Sequence, residues 1–183
     1  QLPSGLFEHL GVLKMLHLSS NPLQSLPADA FIGLRKLKGL MLNSDQLKSL
    51  QPKAFRGLDG LKGLHLNSNQ LRNLSAEVFE GLGQLTMLRL SSNQLESLPA
   101  DVFKHLPRLE QLKLSSNHLQ RLPAELFRNL ERLMRLDLSS NPFRSLPEIL
   151  FQPLRRLKSI HLNSNHLEEL PKICKKRTVK CFT

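Results

Sequence analysis

A single unit of 24 residues, repeated without a slip, constrains this chain more than any other feature. The pattern LxxLxLxxNxL starts at Leu13, Leu37, Leu61, Leu85, Leu109, Leu133 and Leu157. A second series keeps the same step at Phe7, Phe31, Phe55, Phe79, Phe103, Phe127 and Phe151. Equal spacing means that every copy takes the same path. No copy buries its leucines alone, so neighbouring copies must stack into a one-dimensional coil. Residues 1–12 match the second half of a unit, residues 13–170 carry the repeats, and residues 171–183 turn to a basic composition with two cysteines.

Each copy reads as one turn of that coil. In LxLxx the alternation predicts a short strand with its leucines inward and the intervening residues outward. The Asn that follows both donates and accepts, which suits it to satisfying backbone groups at a tight interior bend. The segment LPADxFxxLxxL returns the chain on the outer side, where Pro ends one element and Phe fills the wider space. Asp29, Glu77, Asp101 and Glu125 precede the Phe, where a helical turn begins and an anion is favoured.

These residues resemble the 24-residue leucine-rich repeats of animal extracellular proteins, among them Toll-type receptor ectodomains and the variable lymphocyte receptors of jawless vertebrates. The resemblance covers nearly the whole chain. It implies an α/β class fold: a curved solenoid with a parallel strand per repeat on the concave face and short 3-10 or irregular segments on the convex face. It also implies cysteine-rich caps on both flanks. None precedes Leu13, and the tail holds only Cys174 and Cys181. An uncapped end is expected either to belong to a longer protein or to self-associate. The two cysteines are close enough to close a small loop, or could pair with cap cysteines elsewhere.

Three departures stand out. Asp45 replaces the repeat Asn and has no amide donor, so a ladder of side-chain bonds should break there. The linkers Leu50-Gln51-Pro52 and Leu74-Ser75 depart from Leu-Pro and read as loop variation. An invariant serine row from Ser20 to Ser164 reads as structural, bonding locally where the strand turns.

The candidate ligand surface is the set of strand residues alternating with the leucines. One row holds Met15, Gly39, Gly63, Met87, Gln111, Arg135 and Ser159, and the next His17, Met41, His65, Arg89, Lys113, Asp137 and His161. At about 4.8 Å per strand, seven strands make a ridge of roughly 30 Å, enough for a macromolecule. Its first half is soft, with Met15, Met41 and Met87 around His17 and His65, an adaptable apolar patch. Its second half is charged. Where the chain approaches each strand, Lys14, Lys38, Lys62, Arg108, Arg132, Arg156 and Lys158 form a basic edge. With 26 Lys and Arg against 15 Asp and Glu, net charge +11, such an edge steers anionic ligands or simply keeps a flank solvated.

Several chemistries do not fit. His17, His65 and His161 lie two and four repeats apart, about 10 and 20 Å, too far to share a metal. No nucleophile elbow, oxyanion turn or phosphate loop occurs, so no catalytic residue, metal or cofactor is expected. Specific nucleic-acid binding is disfavoured because Trp and Tyr are absent and Phe is committed to the core. No apolar run approaches the ~18 residues of a membrane span. Asn73-Leu74-Ser75 is a glycosylation sequon on the turn after the third strand. The expectation is thus an extracellular, non-catalytic recognition module of innate-immune type, binding a protein or an anionic or microbial glycan. The competing class is an adhesion or matrix protein, or an engineered scaffold; the irregular strand rows argue against the last, because a designer would repeat one surface residue.

Overall fold

The computed structural model describes all residues, Gln1–Thr183. Each repeat delivers one three-residue strand: β1 (Met15–His17), β2 (Gly39–Met41), β3 (Gly63–His65), β4 (Met87–Arg89), β5 (Gln111–Lys113), β6 (Arg135–Asp137) and β7 (Ser159–His161). They pair in chain order in a single parallel sheet with a register of one repeat, Leu40 beside Leu64 and Leu64 beside Leu88. An eighth strand, β8 (Lys180–Phe182), continues the sheet from the basic tail, Ile160 lying beside Cys181.

The core is one leucine column after another, closed on the outer side by a column of phenylalanines. Phe7, Phe31, Phe55, Phe79, Phe103 and Phe127 stack with ring centroids 6.1 to 6.5 Å apart. The outer path is a succession of turns closed by i to i+3 bonds, such as Val102 N–H to the Pro99 carbonyl. Only Glu148–Phe151 and Lys172–Lys175 extend to 3-10 helices. No helix is long and apolar enough to cross a membrane.

The repeat Asn does what its chemistry allows. Asn93 is buried; its Nδ2 donates to the carbonyls of Leu90 and of Leu66 one repeat back, both at 3.0 Å, while its Oδ1 accepts from Leu71 N–H. Asn69, Asn117 and Asn141 repeat the arrangement. Asp45 breaks it as expected. Its Oδ1 accepts from Asn21 N–H, but Oδ2 is buried with no partner. Burial raises the Asp45 carboxyl above its ordinary value, against the opposing pull of that one backbone bond.

The invariant serines owe their place to backbone geometry as well as to hydroxyl chemistry. Ser20, Ser44, Ser68, Ser92, Ser116, Ser140 and Ser164 all hold positive φ, between 55° and 62°. Each of the first six sends its N–H to the next repeat, as Ser92 does to the Ser115 carbonyl. A small side chain tolerates this left-handed bend where a branched one would clash. The irregular linker at Gln51-Pro52 has a backbone consequence as well: it places Lys53 at φ 60°.

Candidate functional site on the concave face

Because the sheet is in register, the alternating residues form two straight rows, extended by β8 beyond what the repeat pattern covers. Lys180 lies beside Ser159 and Phe182 beside His161. The signal in the sequence is the alternating run Val179-Lys180-Cys181-Phe182, in which Val179 is buried and Cys181 takes the place of the strand leucine, beside Ile160.

The soft half is less open than its composition implies. Met15 is 45% exposed, but its side chain folds across Gly39: a Cβ on Gly39 would come within 2.6 Å of the Met15 Sδ and Cε. Gly39 is therefore buried, and Met41 and Met87 are half-buried. Gly63 faces open space, with nothing within 4 Å of where a Cβ would stand. His17 is exposed and His65 half-buried. Burial holds the His65 imidazole below its ordinary pKa, and the charges of Arg89, His17 and Lys113 push the same way. At neutral pH His65 is uncharged and able to accept a hydrogen bond.

The charged half is a concave patch of unneutralised cations. Arg89, Gln111, Lys113, Arg135, Asp137, Ser159 and His161 surround a depression of about 310 Å³. Asp137 is the one carboxylate here, and it turns away from them: its Oδ1 accepts from the Ser139 N–H at 3.0 Å and hydroxyl at 2.6 Å. The only ion pairs in the molecule, Lys53 with Glu80 and Arg128 with Glu125, lie elsewhere. Arg89 Nε is buried without an acceptor. A buried guanidinium N–H with no partner favours any anion that can reach it. At the far end, Phe182 stacks on His161 with centroids 4.3 Å apart, and Lys180 Nζ sits 5.1 Å from its ring centre.

Along the edge, Lys14, Lys38, Lys62, Arg108, Arg132, Arg156 and Lys158 are all exposed. Their backbone belongs to the sheet, as where the Lys14 carbonyl accepts from both Lys38 and Gly39 N–H, which leaves the side chains to solvent. Asn73 is exposed on the flank beyond the strands. Cys174 and Cys181 are bonded to each other, which resolves the pairing.

A depression of about 740 Å³ lies off this face on that flank, lined by Gln120, Arg121, Pro142, Arg144, Ser145, His166 and Glu168. Pro142 has a local consequence there. At this position Gln94 and His118 donate their N–H to Leu71 and Leu95; proline has no N–H, so the Leu119 carbonyl loses its donor and the flank ladder is interrupted.

Comparison with known proteins matches this geometry. The profile described as "Leucine rich repeat" matches residues 1–47, 35–95, 61–119, 84–143 and 107–167. Among solved structures, that of a TLR13–ssRNA13 complex superposes with a TM-score of 0.88 at 30% identity over 92% of this chain. The APL1 leucine-rich repeat domain does so with a TM-score of 0.81 at 28% identity over 88%. This chain spans 24% of the length of the first and 42% of the second. The fold is widely used, 395 solved chains matching it, so the likeness speaks to architecture rather than to one partner. No curated protein matches significantly. The repeat, the in-register parallel sheet and the profile match over most of the chain agree: it belongs to the leucine-rich repeat family.

Proposed function

We propose that this chain is a non-catalytic recognition module acting outside the cell, which binds an anionic protein or microbial glycan on its concave face without metal or cofactor. The observation that carries the reading is the depression at β4 to β7. There Arg89, Lys113 and Arg135 line one depression with a single carboxylate, Asp137, which is bonded to Ser139 and forms an ion pair with none of them, so the cations stay in excess. Unpaired cations on a concave surface raise the local concentration of anions and speed their capture. The basic edge adds steering, and Met41 and Met87 supply apolar contact beside it. The Cys174–Cys181 disulfide fits an oxidising compartment, and exposed Asn73 is the glycan acceptor of such a protein.

The TLR13 structure holds ssRNA13, and a single-stranded nucleic acid is the rival anion. Against it, Phe182 is the one Phe, Tyr or Trp ring on the concave face, and it already stacks on His161 with Lys180 Nζ 5.1 Å from its centre, so the face offers no row of aromatic platforms for successive bases.

The test is binding of the purified chain to an array of proteins, microbial glycans and single-stranded oligonucleotides at low and high salt. Lys113→Glu with Arg135→Glu should abolish salt-sensitive binding at an unchanged melting temperature. Binding that survives this reversal would remove the site assignment. Loss on Met41→Glu with Met87→Glu alone, with a flat salt response, would move the site to the methionines.

A further inference from the structure

We propose a second binding site, for sulfated polysaccharide, on the disulfide-closed loop at the C-terminal end of the solenoid, distinct from the concave depression. In the nine residues 172–180, five are cations (Lys172, Lys175, Lys176, Arg177 and Lys180) and none is acidic. All five are exposed, and none takes part in an ion pair.

The local structure explains why they share one surface. Ile173 and Val179 point into the core at 5% and 8% exposure and pin the loop from below. Cys174 and Cys181 close it, and Lys176 holds it tight, its N–H donating to the Ile173 carbonyl while its own carbonyl accepts from Val179 N–H. With the apolar residues inward, the cations have only the outward side. Lys180 N–H then donates to the Lys158 carbonyl at 2.8 Å, which joins the loop to the last members of the basic edge, Lys158 and Arg156. The result is a set of exposed cations on a constrained backbone, with one carboxylate, Glu148, at the Lys172 end, where its oxygens accept from the Lys172 N–H at 3.2 Å. Like charges this dense repel one another, a repulsion that a polyanion relieves. Because the disulfide has already ordered the loop, binding loses little backbone entropy.

The chemistry of the loop selects among polyanions. A single-stranded nucleic acid is held by successive aromatic rings, and the one Phe beside the loop, Phe182, is already stacked on His161. An anionic bilayer is held by cations together with inserted apolar side chains; here Ile173 and Val179 are turned inward, and the exposed apolar residues beside the cations are single ones, Leu170 and Phe182, the latter stacked on His161. A hydrophilic chain of sulfates needs only cations at a fixed spacing.

The experiment titrates a heparin oligosaccharide into the full chain at physiological salt. Three variants are compared: the loop triple Lys175→Gln, Lys176→Gln, Arg177→Gln; an equal-charge edge triple Lys14→Gln, Lys38→Gln, Lys62→Gln; and the charge-keeping pair Lys175→Arg, Lys176→Arg. Removing three exposed cations that each pair with a sulfate predicts about a tenfold weaker affinity for the loop triple. The edge triple should fall by much less, and the charge-keeping pair should bind like the parent. Equal weakening by both triples would mean a diffuse net-charge effect and would overturn the site. So would parent binding to single-stranded DNA or to phosphatidylserine vesicles as tight as to heparin at the same salt, or no binding at all. If the loop triple loses its fold, the parent chain and the charge-keeping pair still decide. The concave change Lys113→Gln with Arg135→Gln should weaken heparin binding by much less than the loop triple, so the two sites stand or fall separately.

Discussion

Replacing Asp45 by Asn should stabilise the protein, and by a margin that the neighbouring repeats allow to be worked out. In Asn93 the same atom position donates twice, to Leu66 and Leu90, so each interior carbonyl there receives two side-chain bonds, one from its own repeat and one from the next. Around Asp45 the equivalent carbonyls are Leu18 and Leu42. Leu18 receives only the amide of Asn21 at 2.8 Å, and Leu42 only that of Asn69 at 2.9 Å. The substitution supplies both missing donors and removes a buried oxygen that has no partner. Two bonds at about 1 kcal/mol each and relief of an orphaned group worth about 1–3 kcal/mol place the gain at about 3–5 kcal/mol. The sign with pH is fixed by the raised Asp45 pKa. The folded state holds that proton more tightly than the unfolded chain, so the parent loses stability as pH rises through the folded value. Below the unfolded value the carboxylic acid is neutral and can donate one bond itself. The advantage of Asn should therefore be full at neutral pH and should shrink on acidification. Urea unfolding of both proteins at pH 7 and near pH 4 reads this directly, with hydrogen exchange at repeats 1 and 2 locating it. Equal stability at pH 7, or a gap that does not narrow in acid, would refute the reasoning.

Other substitutions test the same physics at different places. Asn93→Ala strips a buried node with three bonds of 3.0 to 3.2 Å and a longer one to Ser91, and should lower stability by about 3 kcal/mol, whereas Asn165→Ala, at a half-buried site with one bond donated to Leu162 and one accepted from Asn141 N–H, should lose about 1–2 kcal/mol. Comparable losses would mean that the ladder does not work bond by bond. Reducing Cys174–Cys181 should free β8 without unfolding the repeats. Hydrogen exchange should then rise at Leu162 N–H, which donates to Phe182 at 2.7 Å, and stay slow at Leu88. His65 is held neutral in the folded state, so its contribution to stability is fully present above the unfolded value and is lost as pH falls from there through the lower folded value. His65→Gln should flatten the stability profile between pH 7 and pH 5, as followed by thermal melts.

What could be read from the residues alone was everything that periodicity controls. A constant 24-residue step with leucines at alternating positions permits only stacked turns with strands in register, so the concave rows, the asparagine ladder and its break at Asp45 all follow from spacing. The serine row reads as structural from its residues, but its left-handed backbone is not encoded in hydroxyl chemistry, and the bend shows only in φ. Tertiary structure decided what depends on directions that periodicity does not set. Met15 lies over Gly39 because glycine leaves room for it, so part of the soft patch is spent on itself. Asp137 turns to Ser139 rather than to its cationic neighbours, and this leaves Arg89, Lys113 and Arg135 unpaired. The tail shares no repeat with the rest, yet burial of Ile173 and Val179 and the Cys174–Cys181 bond set it on the sheet as an eighth strand. Repetition specifies which face a residue occupies; only the packed neighbours settle which atom it meets there.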